Sequence, residues 1–100
     1  MSQETCMVSI VRSARAALGW SQPDLAKRSG VSLVAIARLE SGMAVPRLST
    51  VSKLKEAFNK AGIRILDDQP EGGFSLVIGV DAVQESERKI AERRDTKQPN

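Results

Sequence analysis

Apolar residues near the start of the chain recur at steps of three and four, which places them on one face of an α-helix. The helix predicted from this pattern ends at Gly19, a residue type that often follows the last helical turn. Its apolar face consists of Val8, Val11, Ala14 and Leu18. The chain therefore begins with an amphipathic helix that needs a partner surface.

Two short helices are predicted next, joined by a tight turn that contains Gly30. The first starts at Ser21, a hydroxyl N-cap, and has Pro23 in its first turn, where the missing N–H costs nothing. The second starts after Ser32, another N-cap, and ends at Gly42. Its inner face consists of Ile36 and Leu39.

A fourth helix, longer than the two before it, is predicted to end at Gly62, where the pattern changes. The apolar face of this helix consists of Val51, Leu54, Phe58 and Ala61. Beyond it, two short runs of branched apolar residues at 63–67 and 74–78 flank residues 68–73, which are rich in turn-forming types. This arrangement predicts a β-hairpin.

The end of the chain is strongly charged. Asp81, with Gln84 three residues later, predicts a capped helix that runs to about Arg94, with Val83 and Ile90 as its main apolar residues.

The predicted elements divide the chain into three parts and give a mainly α fold. Residues 1–62 form a four-helix domain, residues 63–94 add a β-hairpin and a C-terminal helix, and residues 95–100 form a disordered tail.

Charge follows this division. Residues 1–61 hold nine Lys and Arg against four Asp and Glu, whereas residues 62–100 hold six against eight. This imbalance indicates that only the first part meets a polyanion. The chain has no apolar run near the roughly 20 residues of a membrane span and no signal-peptide pattern, so we expect a cytoplasmic protein without a membrane partner.

Residue types needed for catalysis are scarce. The chain has no histidine and one cysteine, Cys6, so a zinc site or a Cys–His nucleophile is not expected. We also find no nucleophile–base pair and no phosphate-binding glycine loop. We therefore expect no enzymatic activity, no metal and no cofactor.

Three runs of residues at fixed spacing carry a resemblance to a known family. They are Ser21-Gln22-Pro23-Asp24-Leu25-Ala26, Gly30-Val31-Ser32 and Ile36-Ala37-Arg38-Leu39-Glu40-Ser41-Gly42, followed by Pro46. Over about residues 8–62 the chain resembles the XRE family, the helix-turn-helix proteins of the phage repressor and Cro type. The resemblance implies a four-helix, repressor-like domain whose second short helix, the recognition helix, enters the major groove of DNA.

The outer side of the recognition helix supplies the candidates for base contacts, which are Ser32, Leu33, Val34 and Arg38. An exposed Leu33-Val34 pair fits contact with thymine methyl groups, and packing on a neighbouring helix is the alternative. The resemblance places a DNA-contacting residue at Arg38, which can bridge O6 and N7 of guanine. For Arg38, a phosphate contact or a solvated side chain are the alternatives.

Candidates for phosphate contacts surround the motif. The resemblance implies that Gln22 binds a phosphate close to the start of the first short helix, whose free N–H groups favour anions. The further candidates, each with a solvated side chain as the alternative, are Arg12, Lys27, Arg28 and Arg47. The resemblance also implies an ion pair between Arg15 and Glu40 that orients the recognition helix.

Apolar residues of the hairpin are the candidates for dimerisation, because a lone two-stranded hairpin is only marginally stable in water. They are Ile63, Ile65, Phe74, Leu76 and Ile78. Either the fourth helix or the same hairpin of a second chain would cover them, and we favour the second chain. A homodimer would place two recognition helices about 34 Å apart.

Together these features favour a transcriptional regulator, expected to be a dimeric repressor that reads a palindromic operator in double-stranded DNA. The alternative is an antitoxin that binds a toxin protein through the charged last helix and controls its own operon. A protein adaptor that binds no DNA is a weaker third hypothesis, which a steep salt dependence of DNA binding would exclude.

Overall fold

The computed structural model of the chain describes residues 3–97, with side chains over residues 6–94. Its elements in order are α1 (Gln3–Leu18), α2 (Gln22–Ser29), α3 (Leu33–Glu40), α4 (Leu48–Lys60), β1 (Ile63–Asp67), β2 (Phe74–Ile78) and α5 (Val80–Lys97). The predicted mainly α fold, four helices followed by a hairpin and a last helix, is confirmed. Within the described range, no helix combines the length and the apolar character that a bilayer crossing requires.

The two short helices carry the caps that their sequence predicts. The Ser21 hydroxyl accepts a hydrogen bond from the backbone N–H of Asp24 at 3.1 Å, and the Asp24 carboxylate accepts one from the backbone N–H of Ser21 at 2.9 Å. Ser32 caps α3 by accepting from the N–H of Ala35 at 3.1 Å. Gly30 between them is left-handed, which ends α2 and turns the chain sharply into α3.

One apolar core contains residues from all five helices and from β1. Its largest fully buried side chains include Phe58, Met7, Ile10, Leu18, Leu25, Ile36, Leu39 and Leu54. Trp20 stacks on Phe58 with ring centroids 6.2 Å apart. On α1 the predicted residues Val11, Ala14 and Leu18 are buried, whereas Val8 is only half-buried. Met7 and Ile10, which were not predicted, are buried with them.

The hairpin packs on its own chain, which corrects part of the dimer prediction. β1 and β2 pair antiparallel, with β1 against α4 and β2 against α1. Ile63 is 1% exposed, and the partly buried Ile65, Phe74 and Leu76 pack on the core. Ile63 is therefore not available to a second chain, since α4 and α1 already supply the apolar partner surface. Of the five candidates, Ile78 keeps the largest exposed fraction, 40%.

Helix α5 differs from its prediction at both ends. It begins at Val80, so Asp81 lies inside the first turn and the predicted capping box is wrong. Within residues 80–94, α5 buries Ala82, whereas Val83 and Ile90, its predicted main apolar residues, are exposed. The helix also continues through residues 95–97, where a disordered tail was predicted, and residues 98–100 lie outside the described residues.

Polar contacts attach α5 to Trp20, in the turn between α1 and α2, and to α2 itself. Trp20 Nε1 donates a hydrogen bond to the Glu85 carboxylate at 2.6 Å. The Arg28 guanidinium lies 3.3 Å from the same carboxylate, and Lys89 Nζ lies 3.1 Å from the Asp24 carboxylate. The last helix is thus attached to the outside of α2.

Candidate nucleic-acid interface

Helix α3 presents two faces of different character. Ile36 and Leu39 anchor its inner face in the core. Its outer face carries the predicted base-contact residues, and all of them are exposed: Ser32, Leu33, Val34 and Arg38. Val34 is 67% exposed, which argues against the alternative that this side chain packs on a neighbouring helix. The helix therefore offers a hydroxyl, two apolar side chains and a guanidinium to a ligand.

A largely buried ion pair fixes the end of α3 against α1. Arg15 Nε and Nη2 donate to the two carboxylate oxygens of Glu40 at 2.7 and 2.8 Å, the bidentate geometry that suits a guanidinium. Arg15 also donates to the carbonyl oxygen of Trp20 at 2.8 Å. The side-chain amide of Gln22 donates to Glu40 at 3.2 Å, so α2 joins the same network.

Burial and hydrogen bonding act in opposite directions on the pKa of Glu40. Desolvation, the largest influence, raises this pKa, while hydrogen bonds from Arg15 and Gln22 lower it, and the net pKa lies below the ordinary value for glutamate. The Glu40 side chain is only 6% exposed, and its charge is balanced by Arg15. The network therefore holds α1, α2 and α3 in one relative orientation, which sets the angle of the outer face of α3.

The predicted phosphate contacts lie in different surroundings. Arg12, Lys27 and Arg47 have exposed side chains. Gln22 is half-buried, and its amide faces Glu40 as described above. Arg28, also a candidate, forms an ion pair with Glu85, and its Cζ lies 5.3 Å from the centroid of the Trp20 ring. Its guanidinium is thus directed to α5.

A groove separates α3 from the loop that leads into α4. Its lining residues are Ser32, Val34, Ala35, Arg38 and Leu39 on one side and Ala44, Val45, Pro46, Arg47 and Thr50 on the other. The contribution of residues 44–46 to this surface was not predicted from the sequence. One signal was present in the sequence, because Met43 and Val45 are large apolar residues outside the predicted helices. Both are exposed.

Comparison with known proteins decides the family to which this arrangement belongs. A family model described as helix-turn-helix matches residues 11–62, just over half of the chain. The chain belongs to this helix-turn-helix family. Its type is the XRE, or Cro and C1, type that the sequence motifs predicted. No curated protein matches the chain.

Membership of the XRE family assigns the general function. Members of this kind are DNA-binding transcription regulators, and their shared domain is regulatory rather than catalytic. In this XRE-family chain the match takes in α2, α3 and α4 with the second half of α1, and it ends at Gly62. The hairpin and α5 lie outside the matched part.

Proposed function

We propose that this protein is a sequence-specific repressor that binds a palindromic operator as a homodimer, with α3 in the major groove of each half-site. The observation that carries the proposal is the exposed outer face of α3 on a helix that is anchored by Ile36, Leu39 and Glu40. A helix anchored by three residues of its inner face keeps its orientation when it meets DNA, as major-groove recognition requires.

Base contacts in this proposal come from both apolar and polar groups. Leu33 and Val34 contact the methyl groups of thymine, the only apolar feature of an unmodified major-groove edge. Arg38 lies one helical turn after Val34 and donates two hydrogen bonds to O6 and N7 of a guanine. The Ser32 hydroxyl, at the start of the helix, reaches a base edge or the adjacent backbone.

Phosphate contacts in this proposal position the domain without reading sequence. Arg12, Lys27 and Arg47 have exposed side chains with which to meet the backbone. Gln22 begins α2 and keeps one amide N–H for a phosphate after the other is donated to Glu40. Arg28 is left out of this set, because Glu85 already engages it.

The proposal predicts DNA binding that weakens steeply with salt. Operator fragments are first selected from random DNA, and dissociation constants are then measured by fluorescence anisotropy at several salt concentrations. Arg47→Ala should flatten the slope of log K against log salt by about one per half-site. Arg38→Ala should cost about 1–3 kcal/mol of operator binding and relax the preference at one base pair.

Lys60→Ala is the matched control for these two variants, because Lys60 is an exposed cation at the far end of α4. This variant should bind the operator as the parent protein does. Absence of DNA binding even at about 50 mM salt would overturn the proposal.

The dimer interface is proposed at the exposed end of the hairpin and the start of α5. Ile78 remains exposed there, and Val77, Val80 and Val83 add exposed apolar side chains close to it in the chain. Burial of such side chains against a second copy is favourable. The acidic bias of residues 62–100 also suits a segment that stays away from the phosphate backbone.

A second candidate function, an antitoxin, rests on the same surface. Val83 and Ile90 are exposed on α5 at a spacing of seven residues, outside the part of the chain that the family model matches. A toxin protein that covers this stripe would compete with a second copy of the chain.

The molar mass in solution, measured by light scattering after gel filtration, separates the two candidates. We expect a dimer that Ile78→Lys converts to a monomer, while Leu48→Lys, at an exposed apolar site on α4, leaves it dimeric. A parent protein that is monomeric at all concentrations would contradict the dimer and favour a different partner for α5.

A further inference from the structure

The groove between α3 and the loop of residues 43–47 is formed by two elements that the chain ties together. The backbone N–H of Met43 donates to the carbonyl oxygen of Arg38 at 2.9 Å. The Ser41 hydroxyl donates to the same carbonyl oxygen, also at 2.9 Å. Pro46 then restricts the backbone where the loop approaches α4. The loop is therefore held beside α3 before any ligand binds.

The lining of this groove is largely apolar, and two of its side chains are highly exposed. Val34 is 67% exposed and Val45 is 78% exposed, and the partly buried Ala35 and Pro46 lie with them along the groove. Exposed valines at these positions add nothing to the core. Both valines are therefore available to a ligand that carries an apolar group.

The charge of the groove identifies the class of that ligand. Arg38 and Arg47 are the ionised side chains among the lining residues, and no carboxylate is among them. Neither arginine has a salt bridge within residues 6–94. An apolar lining with two cations that form no salt bridge complements a polyanion that displays a small apolar group. The 5-methyl group of thymine in the major groove of DNA has this chemistry.

We infer that the groove receives the 5-methyl group of one thymine in each half-site, and that Val45, outside the recognition helix, helps to determine this specificity. The inference rests on the proposed binding of α3 in the major groove. Val34 and Val45 contact the methyl group from opposite sides of the groove. Arg47, at the rim, meets the backbone.

The position of Arg38 defines the neighbouring base. Arg38 follows Val34 by four residues, which is about 6 Å along a helix axis. Base pairs are stacked at about 3.4 Å. The guanine that Arg38 reads is therefore within about two base pairs of the thymine that enters the groove. The half-site motif contains a thymine and a guanine at this separation.

Base analogues in the selected operator test the inference directly. Each thymine of a half-site is replaced in turn by deoxyuridine, which lacks the methyl group, and the dissociation constant is measured at fixed salt. For the thymine that enters the groove, replacement in one half-site should weaken binding about fourfold, the effect of one buried methyl group. At that position 5-bromodeoxyuridine, with a substituent similar in size to a methyl group, should restore the affinity.

Protein variants assign the methyl contact to Val45. Val45→Ala should weaken binding to the thymine operator and should abolish most of the penalty that deoxyuridine causes at that one position. Lys60→Ala, at an exposed site at the far end of α4, is the control and should leave the deoxyuridine penalty unchanged. Because Val45 is exposed, Val45→Ala is not expected to affect folding.

Each outcome either supports or overturns the inference. It is overturned if no thymine replacement alters affinity, or if Val45→Ala weakens the thymine and deoxyuridine operators equally. In both cases a selected operator that still binds leaves the proposed function intact. A protein that binds no DNA, or binds all sequences equally, would overturn the proposed function and this inference together.

Discussion

The part of the chain that matches the helix-turn-helix family and the part beyond Gly62 differ in which side chains they bury. In the first, apolar side chains such as Val34 and Val45 are exposed, while a carboxylate, Glu40, is buried. In the second, the hairpin turns apolar residues toward the core, and the carboxylate of Glu85 fastens α5 to the matched part. The Glu40 carboxylate thus fixes α3 within the matched part, whereas the Glu85 carboxylate attaches the second part to the first.

The two parts nevertheless share one core. Ile63 of β1 and Ala82 of α5 are buried in the same cluster as the residues of α1 to α4. The division of the chain at Gly62 remains a prediction about function. Because the core is shared, the stability of the helix-turn-helix part should depend on the segment that follows it.

The largest effect is expected from Gly62→Ala, at the junction of the two parts. Gly62 has φ +101°, and a Cβ placed there would lie 2.8 Å from the backbone nitrogen of Ala82. Backbone strain and the clash together should lower the free energy of unfolding by about 3 kcal/mol. Urea denaturation followed by circular dichroism measures this change.

Gly72→Ala is the matched control for the clash. Gly72 also has a positive φ of +82°, but a Cβ there meets no atom within 4 Å. The loss of stability should then be only the backbone contribution, about 1 kcal/mol. Equal losses of stability in the two variants would mean that the close approach of α5 to Gly62 does not contribute to the free energy of unfolding.

A smaller effect is expected when one carboxylate of each part is neutralised. Glu40→Gln removes half of a bidentate pair and leaves the Arg15 charge without its partner, which should cost about 2 kcal/mol. Glu85→Gln should cost about 1 kcal/mol or less, because Arg28 and Arg88 are half-exposed and the amide oxygen still accepts from Trp20. A larger loss in Glu85→Gln would reverse our ranking of the two contacts.

The pH dependence of these two losses provides an independent measurement. For both carboxylates desolvation raises the pKa, and hydrogen bonds, from Arg15 to Glu40 and from Trp20 to Glu85, bring it below the ordinary value. A carboxylate with a lowered folded pKa stabilises the protein above its unfolded pKa, about 4.3, and loses that contribution as the pH falls through its folded pKa. The difference between parent and variant should therefore be full at pH 7 and shrink in acid. A constant difference would contradict the ionic origin.

The sequence predicts the elements of this fold well wherever the signals are local. Ser21 and Ser32 cap their helices because an N-cap needs only a hydroxyl and the next turn. Both strands have the predicted bounds, since branched apolar runs and a turn between them suffice to define a hairpin. The motif around α2 and α3 likewise identified the family.

Features that depend on tertiary packing were not predictable in the same way. The apolar pattern of the hairpin predicts that Ile63 is buried, but periodicity does not reveal that its own chain buries it. On α5 the buried residue is Ala82, too small to stand out beside Val83. The place of Val45 in the groove depends on a loop that Met43 ties back to α3 by a backbone hydrogen bond.

Trp20 lies where the two parts meet, and this position has a practical consequence. It is the single tryptophan of the chain, and its indole stacks on Phe58 of α4 while donating to Glu85 of α5. The intrinsic fluorescence of the protein therefore arises at one junction, where it is sensitive to both contacts. The chain carries an optical reporter of whether its last helix is docked, with no label to attach and no second indole to obscure the signal.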